Sequence, residues 1–439
     1  TSSWCDVART NAIEELNSTI KNYSAHHSDQ FFLVDWNMLL ARIGAYETFD
    51  HRFWFTSKSP FKKKFLSAYS AELAKIAAAL KGHQSKVLVL DCDNTLWGGV
   101  IGEDGINGIK LDPHDYPGNV FYAFQQEILK LYERGVMIVL ASKNNEDDVF
   151  DVFENHPNCL LQKKHIVGWR INWSDKATSI MELANELNVG VDSFVFLDDS
   201  DVECDLIRKY IPEIRVIQVP KAIYNLPGIL LKNGYFDTLQ LSAEDKLRSE
   251  MYKQISERKD EEKIFDNIED FLVSLEMVSI IHEIKNDERT RVVQLTQKTN
   301  QFNMTTTRLT KEDVVSYVAN NDSAIYTIKV LDRFGDSGLT GVIFIKNTGG
   351  RIVIENFIMS CRILGRNLEY AFLNYCLDNE VEKTGANEIE ASYIATVKNI
   401  QVSTFWRKIG MNDSGKGVFF ARYNDLSIPL TEYISVVEE

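Results

Sequence analysis

Paired cysteine and histidine motifs are missing from this sequence. Its 439 residues include six cysteines, none of them in a C-x-x-C pair, and eight histidines without an H-E-x-x-H pattern. Scattered cysteines are typical of free thiols in a reducing compartment, so we expect a cytoplasmic protein without a disulfide framework. The lack of paired ligand motifs also argues against a zinc site.

Prolines and long apolar runs are also scarce. The chain has only 8 prolines and is 44% hydrophobic, which is typical of a packed globular protein and not of a disordered one. No apolar stretch approaches the ~20 residues that a membrane-spanning helix needs, so we expect no membrane partner. Because the chain begins with Thr1 and not with Met, we expect a processed or excised segment of something longer.

Positive charge is in the minority. The 48 basic residues stand against 63 acidic ones, which leaves a net charge of −15. This balance disfavours a broad surface for nucleic acid or anionic lipid, so we expect no nucleic-acid partner. The length of 439 residues predicts two to three domains.

Residues 86–240 alternate short apolar strands with amphipathic helices. Strands are predicted at 86–91, 136–142, 193–199 and 215–219. The first three are nearly continuous in apolar residues, as parallel strands that are buried on both faces are. Ser200 and Glu203 form an S-x-x-E capping box, which predicts a helix directly after the third strand. The alternation predicts an α/β fold with a Rossmann-like, doubly wound parallel sheet, whose ligands bind beyond the carboxyl ends of the strands.

Three further regions complete the predicted domain organisation. Residues 271–439 are predicted to form an α+β domain, with strands at 277–284, 324–330, 341–346 and 351–358 and helices at 288–301 and 366–379. The charged residues 241–270 are interpreted as an exposed helical linker. Residues 1–85 form a partial N-terminal region with one predicted strand at 31–35, because their apolar periodicity is too weak for a complete fold.

Polar residues cluster where the strands of the predicted parallel sheet end. The cluster comprises Asp91, Cys92, Asp93, Thr95, Ser142, Lys143, Asn144, Lys176, Asp198 and Asp199. Four carboxylates at one rim of a sheet repel each other unless a cation holds them together. Oxygen ligands of this kind suit Mg²⁺, which is the predicted cofactor. Turn-forming and capping roles explain each position singly but not the ordered set.

In their order these positions resemble the four motifs of the haloacid dehalogenase (HAD) superfamily: D-x-D-x-T, a strand-end Ser or Thr, a Lys and a late acidic pair. The resemblance implies that Asp91 is the nucleophile that forms an aspartyl-phosphate and that Asp93 is the general acid and base. It also implies that Mg²⁺ bridges the Asp91 carboxylate, the Asp93 carbonyl and the late pair, with Asp199 favoured over Asp198 as the direct ligand.

The HAD resemblance also implies a substrate-binding set. Ser142 and Lys176 would hold the phosphoryl oxygens, on which charge is spread in the transition state. Lys176 is thereby counted among the catalytic residues as well. Thr95, Lys143 and Asn144 are the remaining candidates for contact with the substrate.

Several segments resemble the FkbH-like branch of the HAD superfamily (subfamily IIIC). They are D-C-D-N-T-L-W-G-G-V-I-G-E-D-G, A-S-K-N, N-W-S-D-K, F-L-D-D-S and K-T-N-Q-F-N, and the resemblance covers roughly residues 30–420. It implies an enzyme that dephosphorylates 1,3-bisphosphoglycerate and loads glyceryl onto an acyl carrier protein through an enzyme thioester. The expected partners are thus a small phosphorylated metabolite and an acyl carrier protein. The short glycine-rich piece at 98–108 is predicted to be a flap and not a cap domain, which favours a large or protein-borne substrate.

The role of Cys92 is open at the level of sequence. A thiolate attacks an acyl phosphate readily, whereas a phosphatase has no need of one. The middle residue of D-x-D, however, lies on the opposite strand face from both carboxylates, where a cysteine is a small apolar filler. Two alternatives to glyceryl loading therefore stand: a plain Mg²⁺-dependent phosphatase of a sugar phosphate or other small metabolite, and a non-catalytic scaffold.

The two ends of the chain carry weaker resemblances. Residues 354–365 and 399–411 resemble a GNAT acyltransferase domain, whose pyrophosphate loop R-x-x-G-x-G/A corresponds to Arg362, Gly365 and Asn367. The Asn side chain would crowd the amides that cradle a pyrophosphate. Binding of acetyl-CoA, docking of a carrier-protein phosphopantetheine arm and a structural role are the alternatives. Residues 1–85 resemble the remnant of an SGNH-hydrolase-like domain without a G-D-S-type nucleophile.

Overall fold

The computed structural model describes residues 7–27, 31–82, 84–238, 248–262 and 264–438. Part of the predicted linker, residues 241–247 and 263, lies outside these ranges. The helices are α1 Val7–His26, α2 Trp36–Ile43, α3 Ala45–Thr48, α4 His51–Ser57, α5 Lys63–Leu80, α6 Ile101–Asp104, α7 Gly118–Glu133, α8 Glu146–Asn155, α9 Lys176–Leu187, α10 Asp201–Tyr210, α11 Ile229–Lys232, α12 Arg248–Glu262, α13 Ile268–Ser274, α14 Arg289–Lys298, α15 Lys311–Val318, α16 Leu368–Thr384 and α17 Phe405–Lys408. Within the described ranges, no helix has the length and apolar character needed to cross a membrane.

A five-stranded parallel sheet forms the first large unit. Its strands are β1 Val87–Leu90, β2 Met137–Ser142, β3 Ile166–Ile171, β4 Phe194–Asp198 and β5 Arg215–Gln218. They are ordered β3-β2-β1-β4-β5, and every neighbouring pair is parallel. This order confirms the predicted doubly wound α/β sheet, while β3 is a strand that was not predicted.

The central strand β1 is buried on both faces. Leu88 and Leu90 belong to one apolar cluster, and Val87 and Val89 belong to another on the opposite face. All four side chains are fully buried, as the continuous apolar run predicted. Because both faces are packed, the end of β1 is a rigid point from which side chains can be positioned.

A nine-stranded mixed sheet forms the second large unit and confirms the predicted α+β class. Its strands are β6 Met277–Glu283, β7 Phe302–Asn303, β8 Ser323–Asp332, β9 Gly335–Thr348, β10 Arg351–Met359, β11 Glu388–Ser392, β12 Asn412–Asp413, β13 Val418–Arg422 and β14 Ile434–Glu438. The path runs β12-β13-β11-β10-β9-β8-β6-β14, with β7 paired to β10. The pairs β10–β11 and β6–β14 are parallel, and the other pairs are antiparallel.

The predicted strand at 31–35 is wrong. These residues adopt no regular secondary structure and lead directly into α2. The Asp35 carboxylate accepts hydrogen bonds from the amides of Asn37 and Met38, so this residue is the N-cap of the helix. The apolar residues before Asp35 therefore lead into a helix, and in the part of the chain that the structure describes no strand pairs with them.

Helix α12 is not the exposed linker that its charged composition predicted. Met251, Tyr252, Ile255 and Arg258 are buried, and they recur at the three- and four-residue spacing of one helix face. Tyr252 and Ile255 pack into a core cluster of the parallel-sheet unit. Arg258 instead forms an ion pair with Asp332 of β8. The helix therefore joins the two sheet units.

Candidate phosphohydrolase site

The carboxylate of Asp91 receives two donors from two other elements. Asp91 follows the last residue of β1, and its side chain is buried. Ser142 at the end of β2 donates its hydroxyl to Asp91 Oδ1 at 2.8 Å, and Lys176 Nζ contacts the same oxygen at 2.7 Å. Burial raises the pKa of Asp91 to about 6, against the opposing effect of the Lys176 charge. The geometry fixes the orientation of this carboxylate at the centre of the sheet edge.

Lys176 bridges two buried carboxylates. It is the first residue of α9, which begins there because the Asp175 carboxylate accepts a hydrogen bond from the amide of Thr178. Its ammonium contacts Asp91 Oδ1 and, at 2.6 Å, Asp198 Oδ2. Burial favours the neutral amine, but the two carboxylates outweigh it and raise the pKa of Lys176. The lysine therefore stays protonated between them.

Asp93 is held by the loop that follows it. The indole Nε1 of Trp97 and the backbone amide of Ile101 donate to Asp93 Oδ1 at 2.9 and 3.0 Å. Asn144 Nδ2 donates to Asp93 Oδ2 at 3.0 Å and to Ser142 Oγ at 3.2 Å. These contacts make Trp97 and Asn144 positioning residues for Asp93. The sequence predicted that Asn144 contacts the substrate. It predicted no role for Trp97, because a tryptophan in an apolar segment is typical of a core residue.

A tight loop fixes these donors relative to Asp93. Gly98 and Lys110 pair as an isolated antiparallel bridge, which closes residues 98–110, including α6, into a short flap. Asn94 has a φ of 53° and accepts the amide of Gly99 at 3.0 Å. Gly99 has a φ of 101°, and a Cβ there would lie 2.5 Å from an Asp104 carboxylate oxygen. The flap therefore requires glycine at its root.

Replacing Asn144 with Leu distinguishes a positioning role from a substrate contact. We expect kcat to fall about 10- to 100-fold with KM nearly unchanged, because Leu has a similar size but cannot donate to Asp93. Steady-state kinetics with p-nitrophenyl phosphate measures the split. An Asn145→Leu variant, one residue further along, is the matched control and should retain activity. A rise in KM at constant kcat would show instead that Asn144 contacts the substrate.

Three carboxylates can share one cation. Asp91, Asp198 and Asp199 each offer an oxygen, and these oxygens lie within 4.8 Å of one another. Asp198 already accepts Lys176 at one oxygen and the amide of Ser200 at the other. Burial and the neighbouring Asp198 charge raise the pKa of Asp199. The single positive charge of Lys176 cannot neutralise these three carboxylates. Carboxylate oxygens are hard ligands, and three of them at this spacing fit Mg²⁺.

The remaining predicted residues lie in different surroundings. Lys143 pairs with Glu203 at 2.7 Å, so the Glu203 carboxylate does not complete the capping box predicted with Ser200. Thr95 is fully buried, and its hydroxyl has no hydrogen-bond partner among the described residues. Cys92 is also fully buried. Burial and the Asp91 charge raise the pKa of its thiol, while the hydroxyl of Ser142 acts in the opposite direction.

The predicted pyrophosphate loop is packed and internally bonded. Arg366 is buried and forms an ion pair with Asp332 at 2.8 Å. Arg362 donates to Ser360 Oγ and contacts Met251 of α12. Asn367 has a φ of 62°, and its amide donates to the Tyr433 hydroxyl at 2.7 Å. All of these contacts are made within the chain, and none of them tests whether the loop binds a ligand. Binding of acetyl-CoA at this loop stays a prediction.

No protein-family model and no curated protein matches this chain. Two acetyltransferase structures are similar to its C-terminal part. The ribosomal-protein-S18-alanine N-acetyltransferase of Escherichia coli is 11% identical, with a TM-score of 0.26, over 32% of this chain and 90% of that one. The PaiA N-acetyltransferase of Thermoplasma acidophilum, in complex with coenzyme A, is 14% identical, with a TM-score of 0.27, over 33% of this chain and 99% of that one. Neither is similar enough for its activity to be transferred.

A third solved structure is similar to the N-terminal part of the chain, which contains the site. It is the N-terminal part of a Bacteroides fragilis protein containing a phosphatase domain, complexed with Mg. The two chains are 29% identical with a TM-score of 0.50, over 55% of this chain and 66% of that one. This chain thus spans just under two thirds of that structure. The strand-end carboxylates described above accordingly belong to an α/β unit that is similar to a magnesium-bound phosphatase domain.

Proposed function

We propose that the chain is a Mg²⁺-dependent phosphohydrolase of the HAD type, with Asp91 as its nucleophile. The observation that supports this most strongly is the convergence of Ser142 and Lys176 on one oxygen of a buried carboxylate. A serine and a lysine at this place can also hold the oxygens of a phosphoryl group that Asp91 attacks. The similarity to a phosphatase domain complexed with Mg supports the same reaction class.

The proposed reaction has two displacements at phosphorus. An oxygen of Asp91 attacks phosphorus, the bond from phosphorus to the leaving oxygen breaks, and Asp93 gives that oxygen a proton. Asp93 then takes a proton from water as the water oxygen attacks the phosphorus of the aspartyl-phosphate. Inorganic phosphate leaves and the Asp91 carboxylate is restored. The donors from Trp97, Ile101 and Asn144 hold the Asp93 carboxylate in one orientation for both proton transfers.

Asp91 and Asp199 are the residues proposed to hold the metal, with Asp198 completing the acidic set. Asp198 is the less favourable direct ligand because both of its oxygens already accept hydrogen bonds. When bound, Mg²⁺ supplies positive charge that lowers repulsion among the carboxylates and the substrate phosphate. The ammonium of Lys176 is the positive charge that the protein itself provides at this site.

Removal of Mg²⁺ is expected to abolish phosphate release. Excess EDTA should lower the rate to background, because phosphate anions are repelled by an acidic cluster that holds only one lysine. Added Mg²⁺ should restore the rate, and release of inorganic phosphate from acetyl phosphate and p-nitrophenyl phosphate measures it. Absence of Mg²⁺-dependent hydrolysis across acyl and sugar phosphates would favour the scaffold alternative.

Glyceryl loading through Cys92 is the finer proposal. The thiol is adjacent in sequence to the nucleophile, and the hydroxyl of Ser142 lies close enough to lower its pKa. Full burial of Cys92 acts against a catalytic role, because the thiolate is the reactive form and burial disfavours its negative charge. The Cys92 sulfur would attack the acyl carbon of 1,3-bisphosphoglycerate, the bond from that carbon to the phosphate oxygen would break, and inorganic phosphate would leave. Hydrolysis of the remaining 3-phosphate at Asp91 would then leave a glyceryl thioester on Cys92. A plain phosphatase of a small metabolite needs no such step.

A Cys92→Ala variant separates these two functions. If Cys92 carries the acyl group, the variant should release phosphate but lose the mass increase of one glyceryl unit seen after incubation with 1,3-bisphosphoglycerate. Intact-protein mass spectrometry measures the increase. Cys159→Ala, which removes a partly buried thiol, is the matched control. Acyl loading that survives in Cys92→Ala would show that the thioester is not formed at this residue.

A further inference from the structure

An exposed tryptophan follows the strand next to β2. Trp173 belongs to the segment N-W-S-D-K between β3 and α9, and 73% of this residue is exposed. No described residue forms a hydrogen bond or a ring contact with its indole. Trp169, four residues earlier, is packed instead, with its ring 5.1 Å from that of Phe150. A tryptophan carries one of the largest apolar surfaces of any side chain, and in Trp173 that surface is accessible to a ligand.

Two hydrogen bonds connect the loop of Trp173 to the Asp91 carboxylate. The amide of Asn172 donates to the carbonyl of Ser142 at 3.1 Å, and the hydroxyl of Ser142 donates to Asp91 at 2.8 Å. Ser142 is also paired with Ile171, the last residue of β3. Trp173 therefore lies two residues beyond the carboxyl edge of the sheet, on the side where ligands bind in α/β folds.

The backbone on both sides of Trp173 is held in place. The side-chain oxygen of Asn172 accepts the amide of Ser174 at 2.9 Å. Asp175 is the N-cap of α9, whose first residue is Lys176. Trp173 thus stands between a residue bonded to Ser142 and the start of the helix that positions Lys176. Because this backbone is already ordered, a contact made by the indole costs little loop entropy.

The residues assigned so far hold the phosphoryl group and leave the rest of a substrate without a contact. Ser142 and Lys176 both reach the Asp91 oxygen that would attack phosphorus. All residues between β1 and β2 are described, and they form the flap at 98–110 and α7, so no cap domain covers the site from this connection. The leaving group is therefore bound at the rim of the site, where Trp173 lies.

We propose that Trp173 binds the leaving group of the substrate, and that the substrate is a phosphate ester whose leaving group carries an apolar or aromatic ring. Rings pack favourably against an indole, and the contact removes apolar surface of both groups from water. A neutral ring also adds no negative charge near the acidic cluster. The inference rests on the proposed phosphohydrolase function and not on glyceryl loading, because a glyceryl group contains no ring.

Calorimetric titration of the full chain in Mg²⁺ with phenylphosphonate and methylphosphonate tests the proposal. The carbon–phosphorus bond is not hydrolysed, so both ligands report binding alone and differ only in the ring. We expect Trp173→Ala to bind phenylphosphonate about 5- to 10-fold more weakly and methylphosphonate within about twofold of wild type. Trp173→Phe should retain most of the affinity for phenylphosphonate. Tyr210→Ala, which removes an exposed aromatic residue at the other end of α10, is the matched control.

Hydrolysis gives an independent measurement. In Trp173→Ala the KM for p-nitrophenyl phosphate should rise about 5- to 10-fold at nearly constant kcat, and both parameters for acetyl phosphate should stay within about twofold of wild type. A fall in kcat for both substrates would indicate a structural role and overturn the proposal. Equal effects on the two phosphonates, or no binding of phenylphosphonate at millimolar concentration, would also overturn it. If the wild-type chain hydrolyses neither substrate, the proposed function fails, and the phosphonate affinities still decide the role of Trp173.

Discussion

Replacing Asp91 with Asn is expected to lower Mg²⁺-dependent phosphate release at least about 10⁴-fold. The amide has nearly the same size as the carboxylate but cannot act as the nucleophile towards phosphorus. The variant should fold, because Lys176 retains its contact with Asp198 and Ser142 can still donate to the amide oxygen. Release of inorganic phosphate from acetyl phosphate, with circular dichroism as a test of folding, measures the effect.

The control for this loss is Asp147→Asn, an exposed position on α8 in the same unit. It makes the same chemical change and should leave the rate within about twofold of the wild-type value. A rate in Asp91→Asn within tenfold of wild type would show that another group attacks phosphorus. Such a result would remove the basis for assigning Asp91 as the nucleophile.

Replacing Lys176 with Met is expected to destabilise the parallel-sheet unit as well as inactivate it. The side chain is 6% exposed and contacts two buried carboxylates. Breaking a buried ion pair by removal of one partner costs about 3–5 kcal/mol, because the remaining charges stay buried without compensation. Urea unfolding in EDTA should show a loss of this size in the free energy of unfolding. Mg²⁺ should recover part of this loss by binding the two carboxylates that the variant leaves without a cation.

An exposed lysine provides the comparison. Lys209→Met on α10 should change the free energy of unfolding by less than about 0.5 kcal/mol. If Lys176→Met costs less than about 1 kcal/mol, the ammonium does not compensate the buried carboxylates. The electrostatic description of the site would then be wrong even if activity is lost.

The sheet that carries the site could be predicted because its strands are short and continuously apolar. The predicted strands at 86–91 and 193–199 differ from β1 and β4 by one residue at each end. Strand β3 was missed because it lies at the sheet edge, and its run I-V-G-W-R-I includes a glycine and an arginine. In the second unit, β9 is 14 residues long but was predicted as six, because Asp336, Ser337 and Gly338 interrupt its apolar pattern.

The strand-end residues that meet at the site could also be predicted, since parallel strands place their carboxyl ends at one edge. Their hydrogen-bond partners could not. The contacts of Trp97 and Ile101 with Asp93 depend on the positive φ angles of Asn94 and Gly99. The spacing of apolar residues in the sequence does not predict such backbone angles. Lys143 was assigned to substrate, but the nearby start of α10 places Glu203 within reach of its ammonium.

The position of Cys92 follows the alternation of the strand before it. Strand β1 ends at Leu90, and the amides of Thr95 and Leu96 bond back to the Cys92 carbonyl, so a turn begins at this residue. The Cys92 side chain nevertheless packs in the same apolar cluster as Leu88 and Leu90, on the face where alternation predicts an apolar filler. Its thiol is buried yet close to Ser142, a combination that the sequence could not reveal.

Beryllofluoride provides the most direct test of Asp91 as a phosphoryl acceptor, because it mimics a phosphoryl group on a carboxylate and requires no knowledge of the substrate. A crystal structure grown with Mg²⁺ and beryllofluoride should show beryllium bonded to an oxygen of Asp91, with Ser142 and Lys176 contacting its fluorides. The metal should lie between Asp91 and Asp199. Beryllofluoride bound elsewhere, or Mg²⁺ bound with an unmodified Asp91, would contradict the proposed mechanism.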